Sequence, residues 1–156
     1  MTAVLNFRPY CPKDSLSLQK FYTSMPKLPG VTPPRMYNDI VEVDYRQFWE
    51  GGALLLGQLE RVVIGIGALS RLPKEDDPYG GEIKHIRVLP RYMEFEGVIL
   101  SGLETWASAL GVKTLYLDLS AWAGILQNPE NAEGYIRANT PIPGKNVGTC
   151  YKKYLK

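Results

Sequence analysis

Few side chains in this sequence can do chemistry near neutral pH. One histidine, His85, stands among 156 residues. It is the one type whose ordinary pKa, about 6.5, titrates there. Isolated in a strand-like run, it reads first as a packed or solvent-facing residue. One histidine and two distant cysteines, Cys11 and Cys150, cannot supply the clustered ligands of a zinc site, so no metal is expected. Neither thiol has a histidine beside it in sequence, which argues against a thiol nucleophile. Gly65-x-Gly67-x-x-Ser70 has the spacing of a dinucleotide fingerprint. It lies inside an apolar run, and the Arg71-Leu72-Pro73-Lys74 that follows cannot open the helix such a fingerprint needs. The adjacent Asp76-Asp77 could draw a cationic acceptor, although acidic loops are usually just solvated.

Composition narrows the classes further. Hydrophobic residues make up 45% and charged residues 22%, ordinary globular values that exclude disorder, coiled coil and collagen. The length suits one domain, able to bury a core without metal or disulfide. A net charge of +2 with no basic run longer than two residues does not suggest a nucleic-acid partner. No apolar stretch reaches the ~18 residues of a membrane span. The N-terminal residues lack the basic-then-apolar pattern of a secretory leader. With two cysteines only, a cytoplasmic location is the expectation.

The elements that must position any site follow from periodicity. Residues 3–8 alternate as a short strand. Asp14 or Ser15 can cap a helix to about Met25, with Leu16, Leu18, Phe21 and Tyr22 as its apolar set. A stiff proline loop at 26–34 precedes a second helix at 36–48. Apolar runs 53–59 and 62–69 flank Glu60-Arg61 and read as a hairpin, although Glu-Arg is not a favoured turn pair. A strand at 82–89 follows. Its simple alternation puts Glu82, Lys84, Ile86 and Val88 on one face and Ile83, His85, Arg87 and Leu89 on the other. Phe95, Val98, Ile99, Gly102, Leu103, Trp106, Ala107 and Leu110 then mark the strongest helix, closed by Gly111. A strand at 114–120, a helix at 121–139 broken near Pro129, a loop at 141–148 and a strand at 150–155 complete the chain. Strand, long helix, strand implies a right-handed parallel crossover. The fold class is α/β: one domain with a mixed, mostly antiparallel sheet.

Within 82–135 the residues resemble the GNAT superfamily of acyl-CoA-dependent N-acetyltransferases. The carriers are Ile86-Arg87-Val88-Leu89-Pro90, then Leu103-Glu104-Thr105-Trp106-Ala107, then Leu115-Tyr116-Leu117-Asp118, and Asn128 seven residues before Tyr135. Asn139-Thr140 stands where the family has Gly-Phe, with Asn139 as a left-handed residue. The resemblance implies a splayed central pair of parallel strands, and acetyl-CoA as co-substrate. It also implies a small-molecule or peptide amine as acceptor, and a homodimer is possible. Tyr135 falls where the family has its general acid, and Glu82 or Asp118 where members carry a base. Ile86, Arg87 and Val88 would offer main-chain groups to the pantetheine arm. Arg91, Gly97 and Asn128 would contact the rest of the cofactor. Taken by itself, Asn128 also reads as a helix N-cap ahead of Pro129.

One stretch departs from the pattern. The family's phosphate loop has glycines where Arg91-Tyr92-Met93-Glu94-Phe95-Glu96 carries Glu94 and Glu96, and the loop counts about two residues short. Bare N–H groups at a helix start bind pyrophosphate closely. A carboxylate there adds bulk and like charge, about 4 kcal/mol per pair at ~4 Å and an effective dielectric of 20. The leading expectation is therefore N-acetyl transfer by direct attack of the amine. The second is a GNAT-fold binding or assembly module that has lost coenzyme A, and an unrelated α/β protein is the third.

Overall fold

The computed structural model describes residues 4–24, 52–118 and 133–156. The expected helix at 36–48, the proline loop at 26–34 and Asn128 lie outside the described residues, as does most of the expected helix at 121–139.

The described strands are β1 (Asn6–Pro9), β2 (Gly52–Leu59), β3 (Val62–Arg71), β4 (Gly80–Val88), β5 (Thr114–Leu117), β6 (Ile136–Ala138) and β7 (Cys150–Tyr154). They form one sheet in the order β1-β2-β3-β4-β5-β7-β6. Every neighbouring pair is antiparallel except β4 and β5, which run parallel. Helix α1 (Ser15–Ser24) follows β1, and helix α2 (Glu96–Ala109) makes the crossover from β4 to β5. The expected α/β architecture is thus present, parallel pair included.

Glycine spacing in β3 seats α2. A Cβ on Gly65 would run into Ile99, and one on Gly67 would meet Leu103 at 2.9 Å. The bare backbone lets the helix lie close, with Ile99, Leu103 and Ala107 fully buried against the sheet. Removing one such side chain, as in Leu103→Ala, costs about 2–5 kcal/mol. The helix ends as its sequence requires, with Gly111 at φ +84° just beyond it.

The hairpin turn is Glu60-Arg61, both in the left-handed region at φ 48° and 73°. Two-residue turns of that hand match strand twist, and here the long β2–β3 pairing imposes the conformation on residues that do not prefer it.

Several boundaries differ from the sequence expectation. The first strand begins at Asn6 rather than residue 3. Leu16 is 70% exposed, because it lies about 200° around the helix from Leu18, which is buried together with Phe21. Residues 136–138 are not helical but form β6, paired with β7 from Ile136↔Lys152 to Ala138↔Cys150. Asn139 is not left-handed; the left-handed residue near this point is Gly134, at φ +90°. No helix among the described residues is long and apolar enough to cross a membrane.

Candidate active site

The site is organised by an irregularity in β4. Its pairing with β3 shifts register between Ala68↔His85 and Leu69↔Ile83, so Lys84 has no partner of its own. Directly paired residues of antiparallel strands share a face. Gly65, Gly67 and Leu69 face α2, and their partners Val88, Ile86 and Ile83 do so too. Ser70 and Ile66 face away, and so do their partners Glu82 and Arg87. The expected alternation is therefore corrected. A one-residue bulge re-aims the strand and brings Glu82 and Arg87 to the same face.

Glu82 is 4% exposed, and each of its carboxylate oxygens meets an ammonium group. Lys145 Nζ donates to Oε2 at 2.7 Å, and Lys84 Nζ stands 3.1 Å from Oε1. Lys145 comes from the loop between β6 and β7. Glu82 opens into a cavity of about 670 Å³ whose walls include Arg71, Lys74, Asp76 and Lys145. Two loops meet there. Gly144, at φ +91°, leaves no room for a Cβ beside the Asp76 carboxylate. Asp77, next in the chain, accepts the Tyr116 hydroxyl at 2.8 Å and the Tyr79 N–H at 3.0 Å.

The second feature is an open edge. Pairing of β4 with β5 stops at Ile83↔Leu117, while β4 continues to Val88. Leu89 N–H donates to Ile64 of β3 at 2.9 Å, so by alternation the main-chain groups of Ile86 and Val88 point to the open side. Buried Arg87 donates to the Ile86 carbonyl at 2.9 Å.

Tyr135 lies across the sheet from Glu82. Its hydroxyl donates to Glu104 of α2 at 2.9 Å, and Lys153 of β7 pairs with the same carboxylate at 3.0 Å. Burial, then the Glu104 charge, pushes the phenol well above its ordinary pKa. Asp118 is buried just after β5. Buried Cys150 has a thiol pushed up by burial, which disfavours its thiolate. Among the described residues, no group of three or more His, Cys, Asp or Glu is placed to hold a metal.

The phosphate-loop stretch takes an unexpected form. Residues Pro90–Phe95 wind into a 3₁₀ turn that leads directly into α2. Tyr92 N–H is spent on the Leu89 carbonyl at 2.8 Å, and Glu96 N–H on that of Met93. Glu96 is buried, whereas Glu94 and Arg91 are exposed. Gly97 is the second residue of α2.

The sequence singled out Glu82, Tyr135 and the main chain at 86–88, but not their neighbours Lys145, Glu104 and Lys153. Lys145 is 63 residues from its partner, and no local pattern links them. Glu104 and Lys153 sit at ordinary polar positions of a helix and a strand.

Coenzyme A, the co-substrate such a fold implies, fits these residues in part. The open edge at Ile86 and Val88 suits an amide-bearing arm. The turn at 90–95 does not offer the open glycine loop that a diphosphate takes.

No family model matches the sequence, and no curated protein matches it. Solved structures do. An acetyltransferase of the GNAT family from Staphylococcus aureus Mu50 superposes with a TM-score of 0.73 at 16% identity, over 98% of this chain and all of that one. The GNAT domain of S. lividans PAT gives 0.74 at 14% identity, over 97% of this chain and 90% of that chain. The PaiA N-acetyltransferase of Thermoplasma acidophilum, solved with coenzyme A, gives 0.66 at 12% identity, over 97% and 99% of the two chains. At such identities the likeness is one of fold, and it agrees with the splayed parallel pair and the crossover helix: this chain has the GNAT acyl-CoA N-acyltransferase fold.

Proposed function

We propose that the chain is an N-acetyltransferase that moves an acetyl group from acetyl-CoA to a primary amine by direct attack. The observation that carries this reading is that one strand, β4, carries both an open edge at Ile86–Val88 and a buried carboxylate, Glu82, that lines a cavity. The thioester supplies an acyl carbon activated towards amines. Glu82, through water, takes the proton the amine loses as its C–N bond forms and the C–S bond breaks. The main-chain N–H of Val88 orients the carbonyl oxygen. Tyr135, across the sheet, supplies the proton for the departing thiolate. With its pKa raised and its hydroxyl on Glu104, it is a reluctant acid. Asp118 is the second candidate for the base. The acid contribution is expected at the low end of the usual 10²–10⁴-fold range, so Tyr135→Phe should slow turnover about a hundredfold or less.

Thermal denaturation with acetyl-CoA tests the donor. At 100 times the dissociation constant, a ligand stabilises by about 2.7 kcal/mol. For a chain of this size that raises Tm by roughly 5–10 °C. No shift at millimolar acetyl-CoA refutes the transferase reading. A second reading is then favoured by the closed turn at 90–95: a GNAT-fold binding module without coenzyme A.

A further inference from the structure

The cavity beside Glu82 carries an unbalanced charge. Among the described residues, Arg71, Lys74, Lys84 and Lys145 line it with two carboxylates, Asp76 and Glu82. Glu82 already has both Lys84 and Lys145 on its oxygens. Arg71 and Lys74 are exposed, and neither has a salt-bridge partner among the described residues. A second ammonium on an acceptor would face these cations, whereas an acid group would find donors ready. The volume, about 670 Å³, suits a single small molecule rather than a long chain.

We propose that this cavity selects a small amine that also carries a carboxylate, the acid group being held by Arg71 or Lys74 while the amine faces Glu82. The proposal rests on the transferase reading above and names its acceptor class. It reverses the role the sequence suggested for Asp76-Asp77. Asp77 is engaged by Tyr116 and Tyr79, and Asp76 is packed on Gly144.

The test uses the full chain, acetyl-CoA and thiol release as readout. Acceptors are offered in matched pairs: 6-aminohexanoate against cadaverine, and 4-aminobutyrate against 4-aminobutanamide. The acid member of each pair should have a kcat/KM about tenfold to a hundredfold higher, the value of one charge-assisted hydrogen bond. In an Arg71→Gln, Lys74→Gln double variant, whose exposed positions leave the fold intact, that ratio should fall towards one. A Tm equal to the parent's checks the folding. Equal rates, or faster reaction of cadaverine and 4-aminobutanamide, overturn the proposal and leave acyl transfer standing. No thiol release with any acceptor also overturns it, and a parallel acetyl-CoA titration then tells whether the transferase reading falls with it.

Discussion

Strand β4 is built differently at its two ends. Near its start, Glu82 is buried, held by lysines from its own strand and from a distant loop, and opens into a cavity. Beyond its end, residues Pro90–Phe95 fold into a turn that satisfies its own amides, with Glu94 left in water. Burying a carboxylate is costly unless it is paired, so the first end is a committed polar arrangement. The second is a local solution that needs no ligand. On the reading proposed above, the same strand carries the acceptor side at its start, while the loop beyond its end differs from the glycine loop that a diphosphate takes.

The sharpest way to break this contrast is at Glu82. Glu82→Gln removes the proposed base and leaves the donor edge on β4 untouched. Turnover should fall about 10²–10⁴-fold while acetyl-CoA affinity stays the same. Steady-state kinetics beside a binding titration separates the two. A loss below tenfold would move the base to Asp118.

Gly144 is the next target, since it joins the two loops that wall the cavity. An alanine there meets the Asp76 carboxylate and must hold φ +91°. The backbone strain alone is worth about 1–2 kcal/mol. Tm should fall by several degrees and the acceptor KM should rise. Gly111→Ala is the control. At φ +84° it carries similar strain, but nothing lies within 4 Å of its Cβ, so Tm should fall with KM unmoved. A KM effect in both variants would mean that general destabilisation, not the loop contact, shapes the cavity.

The contrast between the ends of β4 also marks what the sequence could tell. The crossover helix, the hairpin and the parallel pair were legible because apolar spacing follows backbone geometry, at 3.6 residues per turn and two per strand repeat. Even the mismatched Glu60-Arg61 turn fell in place between its strands. The bulge at Lys84 was not legible, because it depends on the register with β3 rather than on β4 alone. Missing it put Glu82 and Arg87 on opposite faces. Strand β6 was read as a helix because three residues at a sheet edge, mostly exposed, carry no alternation to detect. Lys145 was hidden for another reason: loop residues reach their partners through tertiary folding alone.

Asp14 gives a reference from outside both ends of β4. Its oxygens accept two hydrogen bonds from Arg8 at 2.6 Å, one from the Cys11 N–H at 3.0 Å and one from the Cys11 thiol. The Arg8 guanidinium holds the Asp14 carboxyl well below the usual carboxylate range. A carboxyl whose folded pKa is depressed stabilises fully above its unfolded pKa of about 3.9, and that stability is lost as pH falls through the folded value. Asp14→Asn should therefore cost about 2 kcal/mol near pH 7, with Arg8 partly in water, or roughly 4–8 °C in Tm. The gap between parent and variant should close in acid. Melting curves from pH 7 down to about pH 2 follow it. A gap that is constant with pH would assign the loss to packing.

The smallest expected effect bears most directly on the phosphate-side end. If the turn at 90–95 stands clear of the diphosphate, Glu94 acts on it only through water. At physiological salt the screening length is about 8 Å, and exposed charge pairs are worth about 0–1 kcal/mol. Glu94→Gln should then tighten acetyl-CoA by no more than about fivefold, the upper end of that range. Raising the salt should shrink even that gain, because both charges lie in solvent. A gain of tens of fold that persists in high salt would mean that the diphosphate lies against Glu94 itself. In that case the turn must open when the cofactor binds, releasing the amides of Tyr92 and Glu96, and the two ends of β4 would serve one ligand after all.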